Sequence, residues 1–369
     1  MILSSQSLSV DKNKTKNETS LTRSISNNGS SKPTKSSTPT KSEIVQQRNV
    51  ILLNDQSQEV ETLRPTRLSQ YVGQTKMVKQ LSLILNSAKM RDKMPEHILF
   101  YGPPGLGKTT AAGLIADELG SKLKILAAPS LQKTGDVVSL LVSLEDKTVL
   151  FIDEIHRLRA PLEEVLYTAM EDGKVDLIMG KGNGSSVARL DLNEFVLVGA
   201  TTQLGKLSKP LKDRFPSIFQ LEPYTETEMS KLITRNAQIL GLTISPDVNK
   251  LICSRTRGTP RIANNVLKRL LDYQVVHGST MVDVDQTKAF LHDLGILDRG
   301  LTRADIRYMM AINEGTVGLN TLAGMLLEEV ETIELAIEPY LLHLGFLDKS
   351  SGGRSLTLKA KDYLMRVVD

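Results

Sequence analysis

"HILFYGPPGLGKTTAAGLIADELG", residues 97–120, sets an apolar strand, a glycine-rich loop and a helix in succession. HILFY is short, apolar and β-favouring, and a helical pattern runs from Thr109 to Leu119. Between them GPPGLGKT, Gly102 to Thr109, fits G-x-x-x-x-G-K-[ST]. In that strand-loop-helix context the pattern reads as a phosphate loop. Glycines such as Gly105 and Gly107 let backbone N–H groups approach phosphate oxygens, and the helix N-terminus adds favourable potential. Lys108 is then placed to neutralise β- and γ-phosphates, and Thr109 to bind Mg²⁺. The competing reading is a glycine turn that only joins strand to helix.

Working outward, TVLFI (148–152) and FVLVGA (195–200) are two more continuous apolar runs. Short runs of this kind separated by helical patterns predict an α/β domain, a parallel sheet covered by helices on both faces. The first run ends in Asp153 and Glu154. An acid at the carboxyl end of a parallel strand faces the ligand crevice. Asp153 suits the Mg²⁺ sphere, and Glu154 suits the base that orients an attacking water. Thr201 and Thr202 end the next run, within reach of a γ-phosphate or the lytic water. Residues 174–192, with alternating ends and a Gly-rich centre, predict a projecting β-hairpin.

After residue 225 the strand signals stop, and helices with apolar spacing of three and four follow. From about Arg299 the chain reads as three short helices and a two-stranded wing, a winged helix. The expected organisation is a tail over 1–62, a large ATPase-type domain over 63–225, a small helical lid domain over 226–296 and a winged-helix domain over 297–369.

Residues 1–48 carry eight Lys or Arg and three Asp or Glu, a net +5 out of a total of +4, which leaves about −1 for the remainder. Bulk charge therefore does not announce nucleic-acid binding, and any such contact must come from a local patch. The tail has too little apolar surface to offset its ordering entropy and is expected to be disordered. Its Ser-rich, acid-poor composition admits an organellar transit peptide, but arginine is scarce, and a plain tail on a cytoplasmic protein is the favoured reading. No apolar run reaches membrane-spanning length. The single Cys253 excludes an internal disulfide framework and reads as a buried side chain. The five histidines show no metal-ligand spacing, and His156 reads as structural.

In order along the chain, LRPTRLSQYVGQ, HILFYGPPGLGKTT, LFIDEIHRL, EEVLYTAMED, LVGATT, LKDRF, SRTRGTPRIAN, VGLNTLA and IEPYLLHLGFL resemble the RuvB family of Holliday-junction branch-migration motors. These are ring-forming ATPases of the AAA+ class. The resemblance runs from about Leu63 to the C-terminus. It implies an AAA+ P-loop sheet domain, a helical lid and a C-terminal winged helix, with ATP and Mg²⁺ as cofactors. It places Leu63 and Arg64 near the adenine, with Tyr224 opposite. Gly105, Gly107, Lys108, Thr109 and Thr110 would hold phosphates and metal. Asp153 and Glu154 would be the Walker B pair, Thr202 the first sensor and Arg261 the second. Arg214 would be the finger that reaches a neighbouring subunit's γ-phosphate. Glu171, Asp172 and Gly173 match a nucleotide-proximal turn. The implied partners are duplex DNA at a Holliday junction, five further copies in a hexamer, a RuvA-like protein docked on the 174–192 hairpin, and a RuvC-like resolvase.

The chain departs from that pattern in places. Lys212 and Gln203 stand where the family usually has Arg. The wing reads KSSGGR where the family is close to RTPRGR, so that a central arginine is lost, assigned to Gly353. Lys349 and Arg354 keep two cations and are the expected DNA contacts. The third helix of the winged domain carries Glu328, Glu329, Glu331, Glu334 and Glu338, and is expected to face away from the phosphates. The alternatives are another AAA+ DNA remodeller, or a nucleotide-dependent DNA-binding scaffold with little hydrolysis.

Overall fold

The computed structural model describes residues 63–179, 186–278 and 281–368. The expected disordered tail and the tip of the hairpin, 180–185, lie outside the described residues.

Five parallel strands form the main sheet in the order β2-β3-β6-β1-β7. They are β1 (Ile98–Tyr101), β2 (Leu123–Ala127), β3 (Thr148–Asp153), β6 (Phe195–Thr201) and β7 (Ser217–Gln220). An antiparallel hairpin of β4 (Lys174–Met179) and β5 (Ser186–Asp191) stands apart from them, in the expected place. All seven residues of β6 are buried, as is every residue of β3 but Asp153. Apolar side chains on both faces explain why these runs do not alternate. Each fully buried Val, Leu or Ile is worth about 1.5–3 kcal/mol.

Helices α1 (Thr75–Met90), α2 (Lys108–Leu119), α3 (Thr134–Val142), α4 (Ala160–Asp172) and α5 (Lys209–Asp213) accompany the sheet. One face packs Leu81, Phe100, Leu114 and Val198. The other packs Leu99, Leu141, Ile152, Leu166, Leu197 and Phe215. Gly199 in β6 sits where an added Cβ would meet Leu99, Ile155 and Phe215 at 3.0–3.2 Å, so a side chain there would crowd this second core. Two strands went unread in the sequence. β2 has no fully buried residue, as befits an edge, and β7 is four residues long.

The lid contains α6 (Glu226–Ile239), α7 (Pro246–Arg255), α8 (Pro260–His277) and α9 (Val284–Asp293). Reciprocal capping boxes start α6 (Thr225 with Glu228) and α9 (Asp283 with Gln286), and Ser245 caps α7. Their apolar faces, with Met229, Ile233, Ile252, Ala263 and Leu267, join the first core of the sheet domain. Cys253 is buried here, its thiol donating to Asn249 Oδ1 at 3.3 Å.

A separate core of Tyr308, Met309, Leu322, Ile333, Leu341 and Phe346 defines the winged domain. It holds α10 (Arg303–Ala311), α11 (Leu319–Leu326) and a composite third helix. That helix runs through Val330–Thr332, a π-helical turn at Ile333–Ile337, and α12 (Glu338–His343). Pro339 has no N–H to give to the preceding turn, and the wider turn accommodates it. The wing is β8 (Leu347–Ser350) paired with β9 (Gly353–Leu356), and α13 (Leu358–Val368) closes the domain.

Candidate nucleotide site and the winged domain

A cleft of about 510 Å³ opens between the sheet domain and the lid. Its wall includes Leu63, Arg64, Gly105, Gly107, Lys108, Thr109, Thr110, Asp153, Glu154, Tyr224 and Arg261, so residues nearly 200 positions apart converge there.

The sheet builds one side. β1 delivers the phosphate loop, and β3 delivers Asp153 and Glu154, with β6 between them. Gly105 (φ +79°) and Gly107 (φ +103°) take left-handed conformations. A Cβ at Gly105 would stand 2.8 Å from Thr259 Cγ2, and one at Gly107 2.5 Å from the Tyr71 hydroxyl. Both glycines are therefore needed for backbone shape and for close neighbours. Lys108 is buried, and its ammonium donates to the carbonyls of Gly102 (2.8 Å) and Pro103 (3.0 Å). Burial pushes its pKa down, against the opposing pull of Glu154 and Asp153.

Glu154 adopts a left-handed φ of +49°, uncommon for a residue with a side chain. Its Oε2 accepts from the Thr202 hydroxyl at 3.0 Å and the Thr202 N–H at 3.2 Å. Thr202 itself does not line the cleft; it meets the site through Glu154. His156 Nδ1 lies 2.8 Å from Thr201 Oγ1 and 3.2 Å from the same Glu154 oxygen. Burial depresses the His156 pKa, partly offset by Glu154. The histidine thus lies against Glu154 and Thr201.

The lid builds the other side. Arg261, Asn264, Asn265 and Lys268 present one polar stripe of α8 to the cleft, and the Arg261 N–H donates to Gly105 O at 3.3 Å. Arg235, Asn236 and Tyr71 complete the wall. The Tyr71 hydroxyl donates to Leu106 O at 3.3 Å, and burial pushes its pKa up to about 12. Tyr71, Arg235, Asn264, Asn265 and Lys268 were missed in the sequence. The i, i+3, i+4, i+7 spacing of Arg261, Asn264, Asn265 and Lys268 was the available signal for the stripe.

Four expected nucleotide residues are elsewhere. Arg214, Glu171, Asp172 and Gly173 do not line this cleft. Arg214 Nη2 lies 2.9 Å from Glu171 Oε1, its Nη1 donates to Pro210 O, and its guanidinium sits 4.5 Å over the Tyr167 ring. Arg214 and Glu171 border a second cavity of about 420 Å³. The reason is topological: Glu171 and Asp172 end α4, Gly173 follows them, and Arg214 follows the last residue of α5.

Three family descriptions match consecutive parts of the chain. They are the Holliday junction DNA helicase RuvB P-loop domain over residues 63–221, the RuvB AAA lid domain over 224–297 and the RuvB C-terminal winged helix domain over 298–365. The chain belongs to the RuvB family.

The RuvB subunit of the Holliday junction branch migration complex from Chloroflexus aggregans is 45% identical over 315 residues, 84% of this chain and 90% of the relative. The RuvB subunit from Fusobacterium nucleatum is 44% identical over 310 residues, 83% and 93% respectively. The solved structure of the Thermotoga maritima RuvB Holliday junction branch migration motor superposes with a TM-score of 0.74 at 41% identity. That superposition covers 82% of this chain and 98% of that one. The AAA+ sheet domain, lid and winged helix expected from the resemblance are all present.

In the wing, Glu334 and Glu338 of the acidic third helix face Lys349 and Arg354, the two cations expected to contact DNA. Glu338, wholly buried, accepts from Arg354 Nε (2.7 Å), Lys349 Nζ (2.6 Å) and the Tyr308 hydroxyl (2.9 Å). Arg354 Nη2 also reaches Glu334 at 3.1 Å, and its side chain is only 12% exposed. Burial would raise the Glu338 pKa, but these three donors outweigh it and hold the carboxyl below its ordinary value. A carboxylate without water must be paired, and the wing supplies the pair.

Counting through KSSGGR against the RuvB pattern, the lost arginine stands at Gly352, not at Gly353. Gly353 has φ +137°, and a Cβ there would lie 2.4 Å from Val317 O. That approach comes from Val317 and Arg354, which exchange backbone hydrogen bonds of 2.9 and 3.0 Å.

Proposed function

We propose that this chain is an ATP-driven motor subunit that moves duplex DNA and so drives Holliday-junction branch migration. It would act in recombination and repair as a homohexamer, in a bacterial-type cytoplasm. The observation that carries the reading is the convergence of the phosphate loop, the acidic pair and the lid arginine on one cleft of a chain whose family match continues through lid and winged helix.

In this reading Lys108 and the backbone of Gly105 and Gly107 hold the ATP phosphates, and Thr110 lies beside them. Leu63, Arg64 and Tyr224 surround the adenine. The residues fit a magnesium nucleotide. Thr109 and Asp153 share the cleft wall, and among the described residues no group of three or more His, Cys, Asp or Glu forms a metal cage. Magnesium is commonly held by one or two protein ligands together with phosphate and water oxygens. When bound, it neutralises phosphate charge. Glu154 orients and deprotonates the attacking water, Thr202 holds Glu154, and Arg261 contacts the nucleotide from the lid.

Arg214, with Glu171, Asp172 and Gly173 beside it, serves the nucleotide of the next subunit. Hydrolysis thereby requires a correctly placed neighbour. The β4–β5 hairpin is the docking element for a RuvA-like junction-binding protein, and a RuvC-like resolvase acts on the product. DNA is gripped through phosphates at the wing, where Lys349, 38% exposed, is the more available cation and Arg354 is largely committed to Glu338 and Glu334.

The test is ATP turnover with and without circular duplex DNA, with particles imaged on duplex DNA in the presence of ATP. Stimulated turnover and threaded rings support the motor. Flat, negligible turnover with intact DNA binding would replace it with a scaffold.

A further inference from the structure

The stretch Thr256–Arg261, the turn after α7 and the first two residues of α8, touches three parts of the molecule within six residues. At Arg261 the N–H donates to Gly105 O in the phosphate loop, and Thr259 packs on the same glycine. One step back, Gly258 O accepts from the Tyr224 N–H at 2.8 Å. Gly258 has φ +62°, and a Cβ there would stand 2.7 Å from Tyr224 O. One further step back, Arg257 turns the other way, into the winged domain.

The Arg257 side chain is 15% exposed and reaches across the domain boundary. Its Nε donates to Gly300 O at 2.7 Å, Nη2 pairs with the buried carboxylate of Asp305, and the guanidinium lies 4.3 Å over the Tyr340 ring. All of these partners are well held. Asp305 closes the capping box at the start of α10, taking hydrogen bonds of 2.6 Å from both the N–H and the hydroxyl of Thr302. The Tyr340 hydroxyl donates to Arg299 O at 2.5 Å. Gly300 is pressed so closely on the end of α7 that a Cβ would lie 2.6 Å from Arg255 O.

Arg257 also adopts a left-handed φ of +52°, a conformation that costs a residue with a side chain something and persists where surroundings enforce it. It belongs to neither the nucleotide cleft nor the wing. We propose that Arg257 is a positioning residue: a latch that ties the winged domain to the loop contacting the phosphate loop, so that nucleotide occupancy and DNA grip bias one another. The proposal rests on the motor reading above.

The latch has a thermodynamic signature. If occupancy of one site changes affinity at the other by some factor, the reverse factor is the same, and such couplings are typically about 5- to 150-fold. The measurement is the affinity of a fluorescent mixed-sequence duplex with and without a non-hydrolysable ATP analogue. Full-length wild type, Arg257→Lys and Asp305→Asn are compared. Arg257→Lys keeps a charge opposite Asp305 but loses the flat fork that spans Asp305, Gly300 and Tyr340. Asp305→Asn keeps an acceptor for Thr302 and removes the charge. The expected result is a coupling factor that falls to near one in both variants. Affinity for each ligand alone and basal DNA-free turnover should stay within about twofold of wild type, as for changes remote from both sites.

A coupling factor retained at the wild-type value in both variants overturns the latch while leaving the motor reading intact. Failure of wild type to bind duplex DNA overturns the motor reading, and the latch with it. Melting temperature is recorded for each variant. If one fails to fold, the other decides.

Discussion

The nucleotide cleft and the wing are built from the same kinds of charged side chain and dispose of them in opposite ways. In the cleft, the charge of Lys108 is steadied by two backbone carbonyls, and among the described residues no carboxylate pairs with its ammonium. In the wing, Arg354 and Lys349 are spent on Glu338 and Glu334 within the same domain. A cation resting on carbonyl dipoles is held without being neutralised and stays available to a ligand's phosphate. A cation facing a buried carboxylate is first of all part of the fold. Counting basic residues therefore finds a binding surface only where their partners are known.

The largest effect that sharpens this contrast is on chemistry alone. Glu154→Gln should cut turnover by about 10²- to 10⁴-fold while ATP binding persists, a range typical for loss of a general base. Single-turnover hydrolysis beside equilibrium nucleotide binding checks it, and near-normal hydrolysis removes the assigned base.

Next comes a pure stability effect in the wing. Glu338→Ala leaves Arg354 and Lys349 facing an emptied, half-dry site and should cost about 3–5 kcal/mol, the usual penalty for breaking a buried pair. Denaturant unfolding followed by a reporter in the winged domain measures it, with nucleotide affinity as the control that should not move. Arg354→Ala should follow the same pattern. Lys349→Ala, which removes the more exposed partner, should cost only on the order of 1 kcal/mol. Equal and negligible costs for the two would break the comparison.

The third effect is a pH dependence. The folded-state pKa of Glu338 lies below its ordinary value, so the carboxylate's stabilisation is present above the unfolded-state pKa, about 4.3, and is lost as pH falls through the folded value. The gap in melting temperature between wild type and Glu338→Gln should therefore narrow on acidification from pH 6 towards pH 3. A gap that is constant across that range would show that the carboxylate's charge is not what stabilises the wing.

The smallest effect is a gain. Gly352 is exposed and has room for a side chain, the nearest atom to an added Cβ being Ser350 Oγ at 3.7 Å. Gly352→Arg should add a cation that no carboxylate claims and steepen the dependence of log affinity on log salt by about 0.9 for each phosphate newly engaged. Salt titration of duplex binding reads it, and an unchanged slope places the DNA surface away from the wing tip.

How much of this could be read in advance follows from where each property is decided. The phosphate loop was legible because its chemistry depends on local backbone shape, and glycine spacing encodes that shape directly. β1, β3 and β6 were legible because burial on both faces leaves an unbroken apolar run. β2 was not, because an edge strand with Ile125 53% exposed carries no such run. Of the cleft, the half supplied by strand ends was read, and of the half supplied by α8 only Arg261 was, through the family resemblance, since Asn264, Asn265 and Lys268 look like any solvated helix face until the lid is folded over the loop. The wing misled for the same reason. Lys349 and Arg354 are far enough from Glu334 and Glu338 in sequence that only tertiary packing tells what they face.

The buried cysteine of the lid has a practical side. Desolvation pushes the Cys253 thiol up to about 11, so that at pH 7 only about one molecule in ten thousand carries the reactive thiolate. With no other cysteine in the sequence, native chain should take up maleimide dyes only slowly. A single cysteine placed on the surface of the lid or the winged domain would take a label without removal of the native thiol, and a pair would report the angle between those two bodies during turnover.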